Sequence, residues 1–322
     1  MNINNKNTIN PLIMAVIPAY NEEGNLKQLI QLVFEQLKKL SDRYEVLIID
    51  DGSTDNTFET LVSISDHHPL RVIQLTRNFG KENALSAGLD HAVDADIVIL
   101  LDADFQHPLH VIPEFFNYWK QGYEMVYAVS TKQDYYSFFR RQYSNMFYYF
   151  MHYGASIKIE PHAGDFRLLD KKVVKAICSL PERHRFMKGL YSWVGFKTIG
   201  IPVQMQNRNL GASKYNFRNL LSLALLGITS FSSFPLRIWG IMGAFISLGS
   251  IGYGLYILLK TIIFGADTPG WATLVVSITF LSGVQLLSIG ALGEYISRIF
   301  TEVKSRPAYL IRNKYNYDDQ YH

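Results

Sequence analysis

Cysteine is almost absent from this chain: Cys178 is the only one in 322 residues. That excludes a disulfide framework and any zinc or iron–sulfur centre built on several cysteines. Charge is sparse as well. Asp, Glu, Lys and Arg make up 18% of the residues, and 31 Lys+Arg against 28 Asp+Glu leave a formal charge of +3. So small an excess provides no general footprint for nucleic acid, and no nucleic-acid partner is expected. The common phosphate-binding signatures are missing too. No G-x-G-x-x-G follows the first predicted strand, and no G-x-x-x-x-G-K-[ST] occurs anywhere, which removes the main support for dehydrogenase and P-loop readings. Apolar residues, by contrast, reach 48%, with 20 Phe and 20 Tyr. A chain so rich in apolar side chains is not disordered in bulk, and part of it is expected outside water.

The apolar residues are unevenly distributed. Up to about Pro235, charges recur every few positions. From Ile238 to Leu259, and again from Gly270 to Gly293, there are none. A helix of such length spans roughly 33 Å, enough to cross a bilayer core. The spacing predicts transmembrane helices over 237–260 and 270–293; the competing reading is a pair of buried helices in a soluble domain. Basic residues flank both ends: Arg208, Lys214, Arg218 and Arg237 before, and Arg298, Lys304, Arg306, Arg312 and Lys314 after. The positive-inside rule then puts the N-terminal region and both termini in the cytoplasm, with 294–322 as a C-terminal tail. Residues 1–11 read as a polar tail without a signal core. Residues 217–236 fit an interfacial amphipathic helix or an ordinary helix of the soluble domain. Gly243 and Ser247 share a helix face that permits close packing, between spans or between subunits.

Within 12–216, strand and helix alternate. Leu12–Ile17 is a strand ending at Pro18, and Leu26, Leu29, Ile30, Val33 and Leu37 keep helical spacing. Val46–Ile49, Val72–Leu75 and Asp96–Leu101 follow as strands, with helices leading to Leu61 and over Asn83–His91. The pattern predicts an α/β domain with a mostly parallel, Rossmann-like sheet, whose ligands sit at the carboxyl ends of the strands. There stand Pro18-Ala19-Tyr20-Asn21-Glu22, Asp50-Asp51-Gly52-Ser53 and Asp102-Ala103-Asp104-Phe105-Gln106. Carboxylates spaced D-x-D after a buried strand share a face. Like charges so close call for a cation, and hard oxygen ligands favour Mg2+ or Mn2+, which bridge phosphates. Asp55 reads as a cap of the following turn. Cys178, among Val173, Val174, Ala176 and Ile177, reads as inert.

These segments resemble the family 2 glycosyltransferases of GT-A fold. Farther on, Gly164-Asp165-Phe166-Arg167-Leu168-Leu169, Arg208 with Gly211-Ala212-Ser213-Lys214-Tyr215, and Gly293-Glu294-Tyr295-Ile296-Ser297-Arg298-Ile299 look like the polyprenyl-phosphate glycosyltransferases. Among these they look like the bactoprenol glucosyltransferases, to which dolichol-phosphate mannose synthases are related. The resemblance covers roughly Leu12 to Tyr309 and implies a GT-A domain followed by two C-terminal transmembrane helices.

It further implies a hexosyltransferase that moves a sugar with inversion from a nucleotide sugar to polyprenyl (undecaprenyl) phosphate, using Mg2+ or Mn2+. UDP-glucose is the favoured donor, with UDP-N-acetylglucosamine, UDP-galactose and GDP-mannose open. The bacterial cytoplasmic membrane is the implied location, and a homo-oligomer, a tetramer among the states allowed, the implied assembly. Pro18, Tyr20, Glu22 and Asp51 match the nucleotide positions; Asp102, Asp104 and Gln106 match the metal and diphosphate positions. Asp165 matches the residue facing the reacting centre, with Asp102 also in reach of the sugar, and Arg167 is a candidate partner for Asp165. His107 has a loop-structural reading beside a catalytic one. Lys132, Arg140, Arg141, Arg208 and Lys214 match basic positions for the acceptor phosphate; attraction to anionic headgroups is the alternative. Glu294 and Arg298 have the spacing of a helical ion pair.

Two other functions compete. A processive polysaccharide synthase shares the acidic elements, but no Q-x-x-R-W occurs here. A non-catalytic membrane scaffold would have lost Asp102 or Asp104, and both are intact.

Overall fold

The computed structural model describes residues 10–66, 68–131, 160, 163–183, 185–204, 234–264 and 270–317. The basic positions Lys132, Arg140, Arg141, Arg208 and Lys214 lie outside them, as do the polar tail up to residue 9 and most of 217–236.

An eight-stranded sheet organises the α/β domain. Its strands are β1 (Ile13–Ala19), β2 (Tyr44–Asp50), β3 (Leu70–Leu75), β4 (Ile97–Leu100), β5 (Met125–Ser130), β6 (Ala163–Asp170), β7 (Thr198–Val203) and β8 (Ile311–Tyr315). They lie in the order β7-β5-β6-β4-β1-β2-β3-β8. β1 pairs in parallel with both β2 and β4, and β2 with β3. Strand β1 is buried on both faces, which explains its unbroken apolar run. Ile13, Ala15 and Ile17 join one core layer, with helices α1 (Glu23–Lys38) and α4 (Ile112–Lys120). Met14 and Val16 join the other, with α3 (Lys81–Asp90), α5 (Lys171–Cys178) and α6 (Met187–Trp193). Alternation along an extended strand thus builds both layers at once. α3 lies so close to the sheet that a Cβ on Gly88 would come within 2.3 Å of Val16 Cγ1. Helix α2 (Thr57–Ser65) completes the run before β3.

The sheet departs from the sequence-based expectation on both sides of its parallel centre. β6 enters antiparallel between β4 and β5. Strand β8, from the segment read as a C-terminal tail, pairs antiparallel with β3. Side chains fasten it: Asn313 Nδ2 donates to Gln74 Oε1 at 2.9 Å, and Arg312 Nη2 to the Thr76 carbonyl at 3.0 Å. Tyr309 Oη donates to Asp90 at 2.9 Å. β8 covers the edge that β3 would otherwise leave open.

Between β7 and β8 the chain forms two long helices, α7 (Phe234–Phe264) and α8 (Trp271–Lys304). Within α8, Val276–Lys304 is long and apolar enough to cross a bilayer; α7 carries a shorter apolar stretch, Ile241–Tyr256. Their apolar side chains face outward, with Phe264 79% exposed. Past the predicted span, Arg298 Nη2 lies 3.1 Å from Glu294 Oε1, the expected ion pair.

Candidate active site

The loops at the carboxyl ends of β1, β2, β3 and β4 meet where the strand order reverses, between β1 and β4. In sheets of this kind that crevice is the ligand position. The first two loops are tied together. Asn21, at φ 54°, accepts the Thr54 N–H through Oδ1 at 2.9 Å, and its own N–H donates to Ser53 Oγ at 3.0 Å. Asp50 Oδ1 accepts the Ser53 N–H at 3.0 Å, and Asp55 Oδ1 accepts the Thr57 N–H at 3.0 Å, the expected turn cap. Pro18 and Tyr20 are half-buried beside this junction. Glu22 Oε2 accepts from Asn25 Nδ2 at 2.7 Å.

Asp51 is buried, and its oxygens accept the N–H groups of Phe79 at 2.7 Å and Gly80 at 2.9 Å. Burial raises its pKa, against those two hydrogen bonds. Asp51 therefore fixes the β3–α3 loop. Gly52 beside it has φ +65°, and a Cβ there would meet the Arg77 backbone at 2.4 Å.

That loop delivers a residue the sequence reading missed. Lys81 opens α3, and its Nζ lies 2.7 Å from Asp102 Oδ1, 2.8 Å from Asp102 Oδ2 and 2.7 Å from Asp165 Oδ2. Asp165 reaches this place through strand register. Leu100 faces Arg167 across the antiparallel β4–β6 pair, so the residue two beyond Leu100 lies beside the one two before Arg167. Burial opposes all three charges, yet mutual attraction wins. The ammonium is held well above the usual lysine value, and both carboxyls are held below the usual carboxylate range.

The expected Arg167–Asp165 pairing is absent. Arg167 is buried and donates to the Gly164 carbonyl, with its guanidinium 3.6 Å from the centre of the Tyr191 ring. Lys81, in the first turn of α3, takes its place beside Asp165. Next to it, burial and the nearby Asp165 push Glu82 up to about 7, while Glu82 Oε2 accepts the Met187 N–H at 2.8 Å.

Asp102, Asp104 and His107 each present one ligand atom within 4.8 Å of the others. His107 is buried, stacks on Phe166 at 4.9 Å and sets Nε2 3.3 Å from Asp102 Oδ2. Its Nδ1 has no hydrogen-bond partner among the described residues. Gln106 donates its backbone N–H to Asp104 Oδ1 at 3.2 Å. Two carboxylates and an imidazole form a donor set that could hold a divalent cation. His107 is thus a stronger donor candidate than its loop reading suggested.

The family sequence profile described as Glycosyl transferase family 2 matches residues 14–178. The chain belongs to glycosyltransferase family 2. The family 2 enzyme is 45% identical over 297 residues to an uncharacterized glycosyltransferase of Synechocystis, covering 92% of this chain and 93% of that one. It is 44% identical over 305 residues to the bactoprenol glucosyl transferase of Shigella phage SfX, covering 94% and 99%. Among solved structures, the mannosyltransferase of Pyrobaculum calidifontis in complex with GDP-Man and Mn2+ covers 90% of this chain and 88% of its own, at 17% identity and a TM-score of 0.48.

Proposed function

We propose that this glycosyltransferase moves a hexose, glucose from UDP-glucose by preference, with inversion onto polyprenyl phosphate at a bacterial cytoplasmic membrane. The observation that carries the reading is the likeness to a bactoprenol glucosyl transferase over 94% of this chain, beside an acidic cleft and one helix long and apolar enough to cross a bilayer.

In this reading Pro18, Tyr20 and Glu22 line the nucleotide side, and Asp51 holds the 77–80 loop as its wall. Asp102 and Asp104, with Gln106 or His107, would hold a divalent cation, which would supply charge stabilisation to the leaving diphosphate. A phosphate oxygen of the acceptor attacks the anomeric carbon as the bond to the diphosphate breaks. The acceptor is already an anion, so no strong general base is required. Asp165, kept ionised by Lys81, orients the reacting groups instead of taking a proton. Lys132, Arg140, Arg141, Arg208 and Lys214 draw in the acceptor phosphate.

Helices α7 and α8 form a hairpin with two membrane crossings. Support comes from β8, which follows the hairpin and pairs with β3, which precedes it. The chain must then leave and return on one side, and the flanking basic residues make that side cytoplasmic. The test is to incubate purified protein with polyprenyl phosphate and a panel of labelled nucleotide sugars. Label should enter the lipid phase from UDP-glucose; label entering only from another donor would change the sugar, and none from any donor would remove the reading.

A further inference from the structure

We propose that Lys81 is a resident cation that makes metal binding depend on the donor diphosphate. The inference rests on the reading of the cleft as a metal-dependent sugar-nucleotide site. Three distances carry it. One ammonium touches both oxygens of Asp102, at 2.7 and 2.8 Å, and Asp165 Oδ2 at 2.7 Å. Asp102 is also one of the three residues whose ligand atoms converge within 4.8 Å. A divalent cation and the Lys81 ammonium therefore compete for the same carboxylate.

Lys81 is not there for the helix. It sits in the first turn of α3, where the helix macrodipole disfavours a positive charge. The carboxylates hold it: without the ammonium, Asp102 and Asp165 would face each other with unbalanced charge. Asp165 Oδ1 is buried and has no hydrogen-bond partner among the described residues, so it has capacity to accept another donor. On the Glu82 side, the ion pair adjoins a carboxylate already fastened to the Met187 N–H at 2.8 Å. The backbone of Lys81 is held within α3, and its flexible four-carbon stem is what would let the ammonium change partners.

A metal arriving alone must displace a cation that already neutralises Asp102, and repulsion at this range weakens it. A nucleoside diphosphate changes the balance, since its oxygens supply new ligands to the metal and new acceptors to the ammonium. Lys81 then leaves Asp102, keeps Asp165 and turns its freed donors to the diphosphate. Metal and diphosphate reinforce one another reciprocally, as linkage requires.

The test reads Mn2+ directly. Full-length protein in detergent is titrated with Mn2+, and free Mn2+ is followed by electron paramagnetic resonance, with and without UDP, and with GDP in parallel. In wild type, the diphosphate should tighten Mn2+ by roughly tenfold or more. Lys81→Met, which keeps length and loses charge, should bind Mn2+ without nucleotide roughly tenfold more tightly than wild type. Lys81→Arg should keep the weak nucleotide-free binding. Equal nucleotide-free affinity in folded Lys81→Met and wild type would overturn the proposal. Should Lys81→Met fail to fold, a wild-type affinity unmoved by either diphosphate would overturn it equally. Asp104→Asn separates the two levels. If wild type with diphosphate binds Mn2+ no better than Asp104→Asn, the metal reading itself fails, and the Lys81 proposal with it.

Discussion

Glu302, on the last turn of α8, accepts the backbone N–H of Arg183 with both carboxylate oxygens, at 3.0 and 3.1 Å. This bond ties the end of an apolar helix to the segment that leads into α6. Met187, at the start of α6, in turn donates its N–H to Glu82, the neighbour of Lys81. The end of α8 is therefore joined to the cleft by more than the chain itself.

Removing that tie should be felt locally. Glu302→Ala is expected to lower stability by about 1 kcal/mol and to speed proteolysis within 179–186. Glu302→Gln, which keeps an acceptor, should do less. Limited proteolysis beside a thermal melt checks both, and equal cleavage of Glu302→Ala and wild type would show that the contact contributes nothing.

Turnover should require a divalent cation, because Asp102, Asp104 and His107 each bring one ligand atom within 4.8 Å of the others. Excess EDTA should abolish it, and Mg2+ or Mn2+ should restore it. Asp104→Asn should lower the rate by roughly 100-fold or more with the fold intact by circular dichroism. Full activity in that variant would move the metal elsewhere.

Much of this arrangement was legible in the sequence. Leu26, Leu29, Ile30, Val33 and Leu37 are the buried face of α1, and the buried runs of β1, β2 and β4 end at the polar segments that line the cleft. Local period and turn chemistry suffice for that. Lys81 was not legible. No motif marks it, and its role arises only when α3, β4 and β6 meet. The pairing of Leu100 with Arg167 is a long-range register that no local pattern encodes. Strand β8 was missed for a related reason: Ile311-Arg312-Asn313-Lys314-Tyr315 is polar and exposed, as an edge strand tolerates, and reads as a tail until β3 is beside it.

Glu82 sets a pH dependence of stability. Its carboxyl is raised from 4.5 to about 7 by burial, with Asp165 adding to the shift. The folded state therefore binds the proton more tightly than the unfolded chain. The contribution is fully present below about 4.5 and is lost as pH rises toward 7. Glu82→Gln keeps the acceptor for Met187 and removes the titration. At pH 8 it should be more stable than wild type by on the order of 1 kcal/mol, with a flatter stability profile between pH 4.5 and 7. Superimposable wild-type and variant profiles would contradict the assignment.

If Arg140 and Arg208 grip the acceptor phosphate, their loss should act on the acceptor alone. Each Ala variant should lose roughly tenfold or more in acceptor-dependent kcat/KM in detergent, with donor KM barely changed. Anionic headgroups are absent under these conditions, so simple membrane attraction predicts no effect. Unchanged acceptor kinetics in both variants would reduce these arginines to surface charge.

The central claim is that a lipid phosphate attacks the anomeric carbon directly and with inversion. The most direct measurement is 31P and 1H nuclear magnetic resonance of the purified lipid product formed from polyprenyl phosphate and UDP-α-glucose. The account predicts a phosphodiester in which glucose is joined to the lipid phosphate in the β configuration. An α-linked product, a glycoside on a hydroxyl, or free glucose with the lipid phosphate unchanged would contradict it.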